Sequence, residues 1–184
     1  MSDYRRWCAP GGTYFFTLVT ERRRPILVTD LARRCLHDAI DEVRGDWPFE
    51  LVAIVLLPDH LHAIWTLESG DDRYAIRWKR IKEEFTRRYL ERGGEELPPN
   101  ASRLRHQERG IWQRRYWEHC VRDEDDLKQC VDYIHWNPRK HSYVSNVRDW
   151  PWSSFRRFVA LGEYTLDWGV QDPTPGYDDP EWGE

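Results

Sequence analysis

The fold is decided by the stretch LLPDHLHAIW at residues 56–65, where two apolar segments meet at a proline. Residues 50–57 are apolar and β-branched enough to form one strand, and residues 60–66 alternate in the manner of a second. The proline and aspartate between them predict a tight connection. Side chains two apart in a strand share a face, so His60 and His62 project together, about 6–7 Å apart at Cα. Such a pair can bind one divalent ion, although two surface histidines without a ligand are the commoner meaning of this motif.

Outward from this hairpin, hydrophobic periodicity and turn signals predict six further elements. They are a strand at 13–19, a helix at 31–45 capped by Asp30, a helix at 73–90, a strand at 112–121, a helix at 124–136 that stops before Pro138, and a short helix at 153–161. The order β-α-β-β-α-β predicts an α+β fold with a ferredoxin-like antiparallel sheet. We expect the hairpin histidines on an interior strand and an added C-terminal helix packed against the sheet.

The charge of the 184-residue chain is uneven. The length predicts one domain at residues 1–162, followed by an irregular acidic tail at 163–184. The net charge is −4, but the tail holds seven acidic residues and no lysine or arginine, which leaves 28 basic against 25 acidic residues in the domain. A mildly basic domain is compatible with a nucleic-acid partner. The tail is expected either to be inert or to cover the basic surface as a mimic of phosphate.

Cysteine usage and hydropathy exclude several classes of protein. The four cysteines show no Cys-x-x-Cys spacing, which argues against a structural zinc site and favours reduced thiols. No secretory signal peptide and no apolar run of about 18 residues is present, so we expect a cytoplasmic protein without membrane contact. No apolar stripe suggests a dimer interface, which favours a monomer. The 11 tryptophans exceed what one core needs, so some are expected to offer stacking surfaces.

The helix predicted at 124–136, with the residue that follows it, holds two further candidate active-site side chains. Its apolar stripe would dock on the sheet, and Tyr133 and Asn137 are four residues apart, so they lie one above the other at the margin of that stripe. Docking could aim both side chains at the histidine pair. A tyrosine can act as a covalent nucleophile, and an asparagine oxygen can complete the coordination of a divalent ion. A half-buried packing tyrosine is the alternative interpretation.

Seven short motifs occur in an order that resembles one known family. They are YRR at 4–6, PGGTYFFT at 10–17, DHLH at 59–62, WQ at 112–113, WEH at 117–119, DYIHWNPRKH at 132–141 and DWPWSS at 149–154. Together they resemble the REP-associated tyrosine transposases, which belong to the HUH-type single-strand DNA endonucleases. The resemblance spans about residues 4–160. Two positions depart from the usual pattern, since Arg139 replaces a common aliphatic residue and Ser142 a common glycine.

The resemblance implies a mechanism and assigns residues to it. His60 and His62 are implied as catalytic metal ligands with Asn137 as the third, and Tyr133 as the nucleophile, with Mg²⁺ or Mn²⁺ as the cofactor. The implied reaction cleaves and joins single-stranded DNA at REP-like hairpins through a 5′-phosphotyrosine intermediate. A base such as His119 or Lys140 would assist the phenol. Two alternatives remain, a catalytically silent hairpin-binding protein on the same fold and a metal-dependent hydrolase of small phosphoesters.

Basic and aromatic side chains are the candidates for contacting DNA. The expected phosphate contacts are Arg5, Arg6, Arg22, Arg23, Arg77, Arg80, Arg87, Arg114, Arg115 and Lys140. Trp117, like Trp7 and Trp112, is expected to stack on unpaired bases, which is a sequence-tolerant mode of binding single strands. Phosphate contacts would make the affinity depend on salt. For the arginines on the helix at 73–90, an ordinary solvated helix face is an equally good explanation.

Overall fold

The computed structural model describes residues 10–106 and 108–170, which form a four-stranded sheet and five helices. In chain order the elements are β1 (Thr13–Val19), α1 (Asp30–Asp46), β2 (Phe49–Leu56), β3 (His60–Leu67), α2 (Tyr74–Glu91), α3 (Ala101–Arg105), β4 (Trp117–Cys120), α4 (Glu124–Lys140) and α5 (Phe155–Ala160), with 3₁₀ turns at Glu21–Arg23 and Val147–Asp149. The strand order is β2-β3-β1-β4 with antiparallel neighbours, which is the ferredoxin-like arrangement. The predicted α+β fold is confirmed.

The central hairpin forms where the sequence predicts it. Leu57 donates its N–H to the carbonyl of His60 at 2.9 Å, and the two strands pair from Leu56 opposite Leu61. Strand β3 lies between β2 and β1, so the histidines occupy an interior strand. On β1, Thr17 pairs with His62 and Val19 with His60.

The two faces of the sheet pack against different helices. Leu61, Ala63 and Trp65 of β3 belong to the core shared with α1 and α2, where the Trp65 ring stacks on Trp78 with centroids 4.0 Å apart. The opposite face, with Ile64, packs against α4. The alternation of apolar side chains along β3 therefore separates an α1–α2 layer from an α4 layer, and the histidines face α4.

Helix α4 continues past the predicted stop to Lys140, with Pro138 inside it. The prediction that the helix ends before Pro138 is wrong. An internal proline costs about 3 kcal/mol because it removes one hydrogen bond and crowds the preceding turn. Here the residues that precede the proline are buried on the sheet, and His141 donates its N–H to the carbonyl of Asn137 at 3.0 Å. Tertiary packing therefore outweighs the local penalty.

Strand β4 is shorter than predicted and begins at Trp117 instead of residue 112. The carbonyls of Gln113 and Arg114 accept hydrogen bonds from Lys82 Nζ, at 2.6 and 3.4 Å. Trp112 makes one isolated bridge to Thr20 and is 4% exposed. Gln113 still donates its N–H to the carbonyl of Val19 at 2.9 Å, so the pairing with β1 is interrupted only between residues 113 and 117, where Lys82 binds the carbonyls.

The segment before α5 covers the outer edge of β2. Leu56 donates its N–H to the carbonyl of Trp152 at 2.8 Å, and Ser154 donates to the carbonyl of Ile54 at 2.9 Å. This pairing protects an edge strand that would otherwise be open to another chain. Among the described residues, no helix has both the length and the apolar composition needed to cross a bilayer.

Candidate active site

The two histidines of β3 are buried side by side, at 1% and 0% exposure, with ring centroids 5.0 Å apart. The Nδ1 atom of His62 is hydrogen-bonded to Thr17 Oγ1 at 2.9 Å, and Nδ1 of His60 pairs with Asp59 Oδ1 at 2.7 Å. Because each Nδ1 is engaged, Nε2 is the nitrogen that each ring would offer to a metal ion. Partners of this kind orient metal-binding imidazoles in proteins.

Asp59 links His60 to an arginine. One carboxylate oxygen contacts His60, and the other accepts a hydrogen bond from Arg23 at 3.1 Å. Burial would raise the pKa of Asp59, but the hydrogen bonds and charges of His60 and Arg23 outweigh it and hold the pKa at about 2. The sequence suggested only a turn-forming role for this residue, since neither partner of its side chain is visible in a one-dimensional pattern.

Helix α4 brings Tyr133 and Asn137 to the same face of the sheet, both at 0% exposure. The ring of Tyr133 lies 5.4 Å from the ring of His62 and 5.9 Å from that of Phe15. Tyr133 is thus fully buried beside the imidazoles, whereas the sequence predicted a position at the margin of the apolar stripe. Asn137 follows one helical turn later, on the same side of α4.

Lys140 contacts the phenol oxygen. Its Nζ donates to Tyr133 Oη at 3.1 Å and lies 4.8 Å from the ring centroid. Residues seven apart share a helix face, so this contact depends on α4 continuing through Pro138. The sequence suggested two roles for Lys140, a phosphate contact and a base that assists the phenol. The seven-residue spacing between Tyr133 and Lys140 would have indicated this contact, but the helix was expected to stop before Pro138.

A third histidine adjoins the pair. His141 follows α4, and its ring centroid lies 5.2 Å from that of His60. The sequence pattern gives no sign of this contact, because the approach of His141 to His60 depends on how α4 docks on the sheet. The potential metal ligands on this side of the sheet are imidazole nitrogens and the amide oxygen of Asn137 on α4, a mixed nitrogen and oxygen set.

His119, considered above as a base, is engaged at the start of α4. Its Nε2 donates to Asp126 at 2.9 Å, and Arg122 Nε also donates to that carboxylate at 3.0 Å. Asp126 lies two helical turns before Tyr133. Its pKa is lowered, because the hydrogen bonds from Arg122 and His119 outweigh its burial. Cys130 completes a group of three potential metal ligands within 4.8 Å of one another, but the arginine already neutralises the carboxylate.

The predicted phosphate contacts on α2 lie in the layer behind the sheet. Arg77 is 1% exposed and donates to Asp71 at 2.8 Å and to the carbonyls of Trp47 and Pro48. Its prediction as a DNA contact is wrong because the guanidinium is buried in this structural ion pair. Arg80 is exposed and stacks over Trp47, and the exposed Arg87 pairs with glutamates of its own helix.

Other predicted contacts have different surroundings. Arg22 and Arg23 are exposed in the turn after β1, both with φ of 52°, a left-handed conformation that non-glycine residues rarely adopt. Arg115 is exposed, and Arg114 pairs with a glutamate at 2.5 Å.

The tryptophans predicted to stack on bases also differ in how far they are buried. Trp117 is half-buried, in contact with Phe15 and stacked against His119. Trp112 is buried against Phe85 and is therefore wrong as a stacking surface. Arg5, Arg6 and Trp7 lie outside the described residues.

The beginning of the acidic segment packs against α4. Tyr164 donates a hydrogen bond to Asp132, and Arg139 donates to the carbonyl of Gly169. These contacts place residues 164–169 on the outer side of the helix that carries Tyr133. Residues 171–184, which hold most of the acidic side chains of this segment, lie outside the described residues.

Comparisons with known proteins agree with the fold and the arrangement of motifs. The family of IS200-like transposases matches residues 9–137. A REP-associated tyrosine transposase of Escherichia coli is 45% identical over 168 residues, which cover 91% of this chain and 91% of the relative. A Haemophilus influenzae protein named for the same family is 46% identical over 174 residues, with 92% and 94% covered.

One solved structure extends the comparison to three dimensions. It is a REP-associated tyrosine transposase bound to a REP hairpin, which is 40% identical and superposes with a TM-score of 0.78. The match covers all of this chain and 98% of the solved chain. The chain therefore belongs to the IS200-like transposase family and, within it, to the REP-associated tyrosine transposases.

Proposed function

We propose that this protein cleaves and rejoins single-stranded DNA next to REP-like hairpins, with Tyr133 as the nucleophile. The observation that carries the proposal is the position of Tyr133, whose ring lies 5.4 Å from His62 and whose oxygen accepts a hydrogen bond from Lys140. The hairpin bound to the 40% identical relative supports hairpin DNA as the substrate class. The two relatives named as tyrosine transposases support the choice of nucleophile.

A divalent cation, Mg²⁺ or Mn²⁺, would be held by Nε2 of His60, Nε2 of His62 and the amide oxygen of Asn137. The fit rests on the hydrogen bonds of Thr17 and Asp59, which occupy the Nδ1 atoms and so present the opposite nitrogens. Bound there, the ion would supply Lewis-acid chemistry at a non-bridging oxygen of the scissile phosphate.

The reaction is a transesterification at phosphorus. The oxygen of Tyr133 loses its proton to solvent and forms a bond to the scissile phosphorus, the bond from phosphorus to the 3′ oxygen breaks, and that oxygen takes up a proton from solvent. The products are a 5′-phosphotyrosine and a free 3′-hydroxyl. Because the phosphodiester energy is retained in the tyrosyl ester, attack by a 3′-hydroxyl on the same phosphorus reverses the step and joins strands.

Lys140 prepares the phenol oxygen for this step. A neutral phenol is a weak nucleophile and needs an adjacent group that favours its charged form. The ammonium group at 3.1 Å stabilises negative charge on that oxygen as the phenol proton leaves. Since Tyr133 is 0% exposed, a phosphate reaches it only after covering side chains move.

The test is a covalent adduct with DNA. Wild-type protein is incubated with Mn²⁺ and a hairpin carrying single-stranded flanks, labelled at its 3′ end in one sample and at its 5′ end in another. We expect a denaturation-resistant adduct with the 3′-labelled strand only, because the phosphotyrosine retains the downstream fragment.

Two variants make the result specific. Tyr133→Phe should abolish the adduct, whereas Tyr89→Phe, at a buried tyrosine of α2 behind the sheet, should leave it intact. Hairpin binding by the wild type without an adduct would support the catalytically silent alternative. An undiminished adduct with Tyr133→Phe would remove Tyr133 from the mechanism.

A further inference from the structure

An exposed aromatic ring stands at the rim of the candidate active site. Tyr143 follows α4 and is 44% exposed, although its ring is large and apolar. Its N–H donates to the carbonyl of Pro138 at 2.9 Å, and the preceding Ser142 has a left-handed φ of 58°. This turn folds the chain back immediately after the helix, so the position of the ring is set by the backbone and not by a free loop.

The ring of Tyr143 belongs to a row of three aromatic rings. It lies 5.9 Å from His141 and 5.4 Å from Trp150, with interplanar angles of 28° and 26°. These separations are those of offset neighbours, so neither ring covers Tyr143 fully. Trp150 is itself fixed, since its indole Nε1 donates to the carbonyl of Leu56 at 2.9 Å. The row is therefore a supported surface with an exposed centre.

The same row reaches the metal-binding histidines. His141 is 5.2 Å from His60, and Asp59, which pairs with His60, also accepts a hydrogen bond from Arg23 at 3.1 Å. Arg23 is 47% exposed and uses one N–H on Asp59, and a guanidinium carries five N–H donors. A flat apolar surface beside a partly exposed guanidinium matches a nucleotide, whose base stacks and whose phosphate carries negative charge.

We propose that Tyr143, supported by His141 and Trp150, is a stacking platform for an unpaired base of the DNA strand that enters the active site. The inference rests on the proposed function for the presence of a single strand. It adds a specific contact beside the scissile phosphate. Stacking on the platform would hold the nucleotide next to the reacting one and leave the phosphate near His60.

The test is a double-mutant cycle between Tyr143 and the DNA. A fluorescent hairpin with a single-stranded oligothymidine flank is prepared with an abasic nucleotide at each flank position in turn. Binding to wild-type protein should weaken by about tenfold when one position near the hairpin is abasic, since a stacked base contributes on that scale. With Tyr143→Leu, which keeps apolar bulk but removes the aromatic face, intact DNA should bind about tenfold more weakly and the abasic effect should disappear.

Controls separate stacking from folding. Tyr143→Phe should bind as the wild type does, and Leu161→Ala, at a 68% exposed side chain after α5, should retain the abasic effect. An abasic effect that persists unchanged in Tyr143→Leu, or an absence of any sensitive position in the wild type, would overturn the platform. Adduct formation is scored on the same samples, so an adduct without coupling contradicts the platform alone, and coupling without an adduct contradicts only the proposed chemistry.

Discussion

At the scale of single residues, the imidazoles of His60 and His62 are each fixed by a partner on Nδ1. The alternation along residues 60–66 predicts that His60 and His62 share a face, because the two-residue period of a strand is local. It does not predict Thr17, which reaches His62 across the pairing of β1 with β3. Nor does this alternation predict that His141 approaches His60 or that Lys140 contacts Tyr133. Both contacts depend on where α4 docks on the sheet.

Replacing Asp59 with asparagine should weaken divalent metal binding by about 10- to 100-fold, because the carboxylate orients the His60 ring and raises its basicity. A Mn²⁺ titration followed by calorimetry measures the effect. Asp30→Asn, at a carboxylate that is 74% exposed at the start of α1, is the matched control and should not change the affinity. Equal affinities for wild type and Asp59→Asn would show that the Asp59 carboxylate does not support the metal site.

Replacing Lys140 with methionine should slow adduct formation by about 100-fold, which is the scale for loss of one donor to a charged oxygen. Hairpin affinity should change little, because the ammonium group contacts the phenol oxygen. Lys140→Arg should recover part of the rate. Single-turnover adduct rates and equilibrium binding are measured in parallel. A large loss of affinity with an unchanged rate at saturating DNA would instead support the phosphate contact that the sequence suggested.

At the scale of secondary-structure elements, the sequence predicts which elements exist better than where they end. Helix α4 passes through Pro138 and β4 starts five residues late, and both errors have tertiary causes. Burial on the sheet stabilises the extended helix, and Lys82 holds the carbonyls of residues 113 and 114 outside the strand ladder. Neither of these tertiary contacts can be predicted from local helix or strand propensity.

The start of α2 is held by a buried ion pair between Asp71 and Arg77. Asp71→Asn should reduce the free energy of unfolding at pH 7 by about 3 kcal/mol, since it leaves the Arg77 charge buried without a counter-charge. Urea denaturation measures this loss. Asp72→Asn, at the exposed neighbouring carboxylate, should have little effect.

The pH dependence of the same pair has a defined sign. Hydrogen bonds from Arg73 and Arg77 hold the pKa of Asp71 below its ordinary value of 3.8. A depressed pKa in the folded state stabilises the protein above the unfolded-state pKa, and that stability is lost as the pH falls below about 4. The difference between wild type and Asp71→Asn should therefore narrow from pH 7 to pH 3. A constant difference would contradict the role of the ionised carboxylate.

At the scale of the whole molecule, the sheet separates the candidate active site from most of the basic residues of α2. The order of elements in the sequence is enough to predict the ferredoxin-like sheet and the face on which the histidines lie. It does not distinguish a phosphate contact from an ion pair within α2 or from a buried guanidinium, because those depend on neighbours distant in sequence. Arg77, Arg80 and Arg87 show this.

Because the sheet separates the candidate active site from α2, we expect arginines on the active-site side to contact DNA and those on α2 not to. Arg22→Gln, in the exposed turn beside the site, should weaken hairpin binding and reduce the slope of log affinity against log salt by about 1, as expected for one lost phosphate contact. Arg87→Gln, at an exposed arginine behind the sheet, is the matched control and should leave both unchanged. Fluorescence anisotropy over a range of salt concentrations gives the slopes. The opposite pattern would place the DNA on the α2 face.

The central claim, that Tyr133 attacks the scissile phosphate, is tested most directly by peptide mapping of the covalent adduct. Wild-type protein is trapped on its hairpin substrate with Mn²⁺, the DNA and protein are digested, and mass spectrometry locates the nucleotide on one tyrosine. The structure predicts the label on Tyr133, the buried ring beside His62, with none on the exposed Tyr143. A label on Tyr143, or on any residue other than Tyr133, would contradict the account.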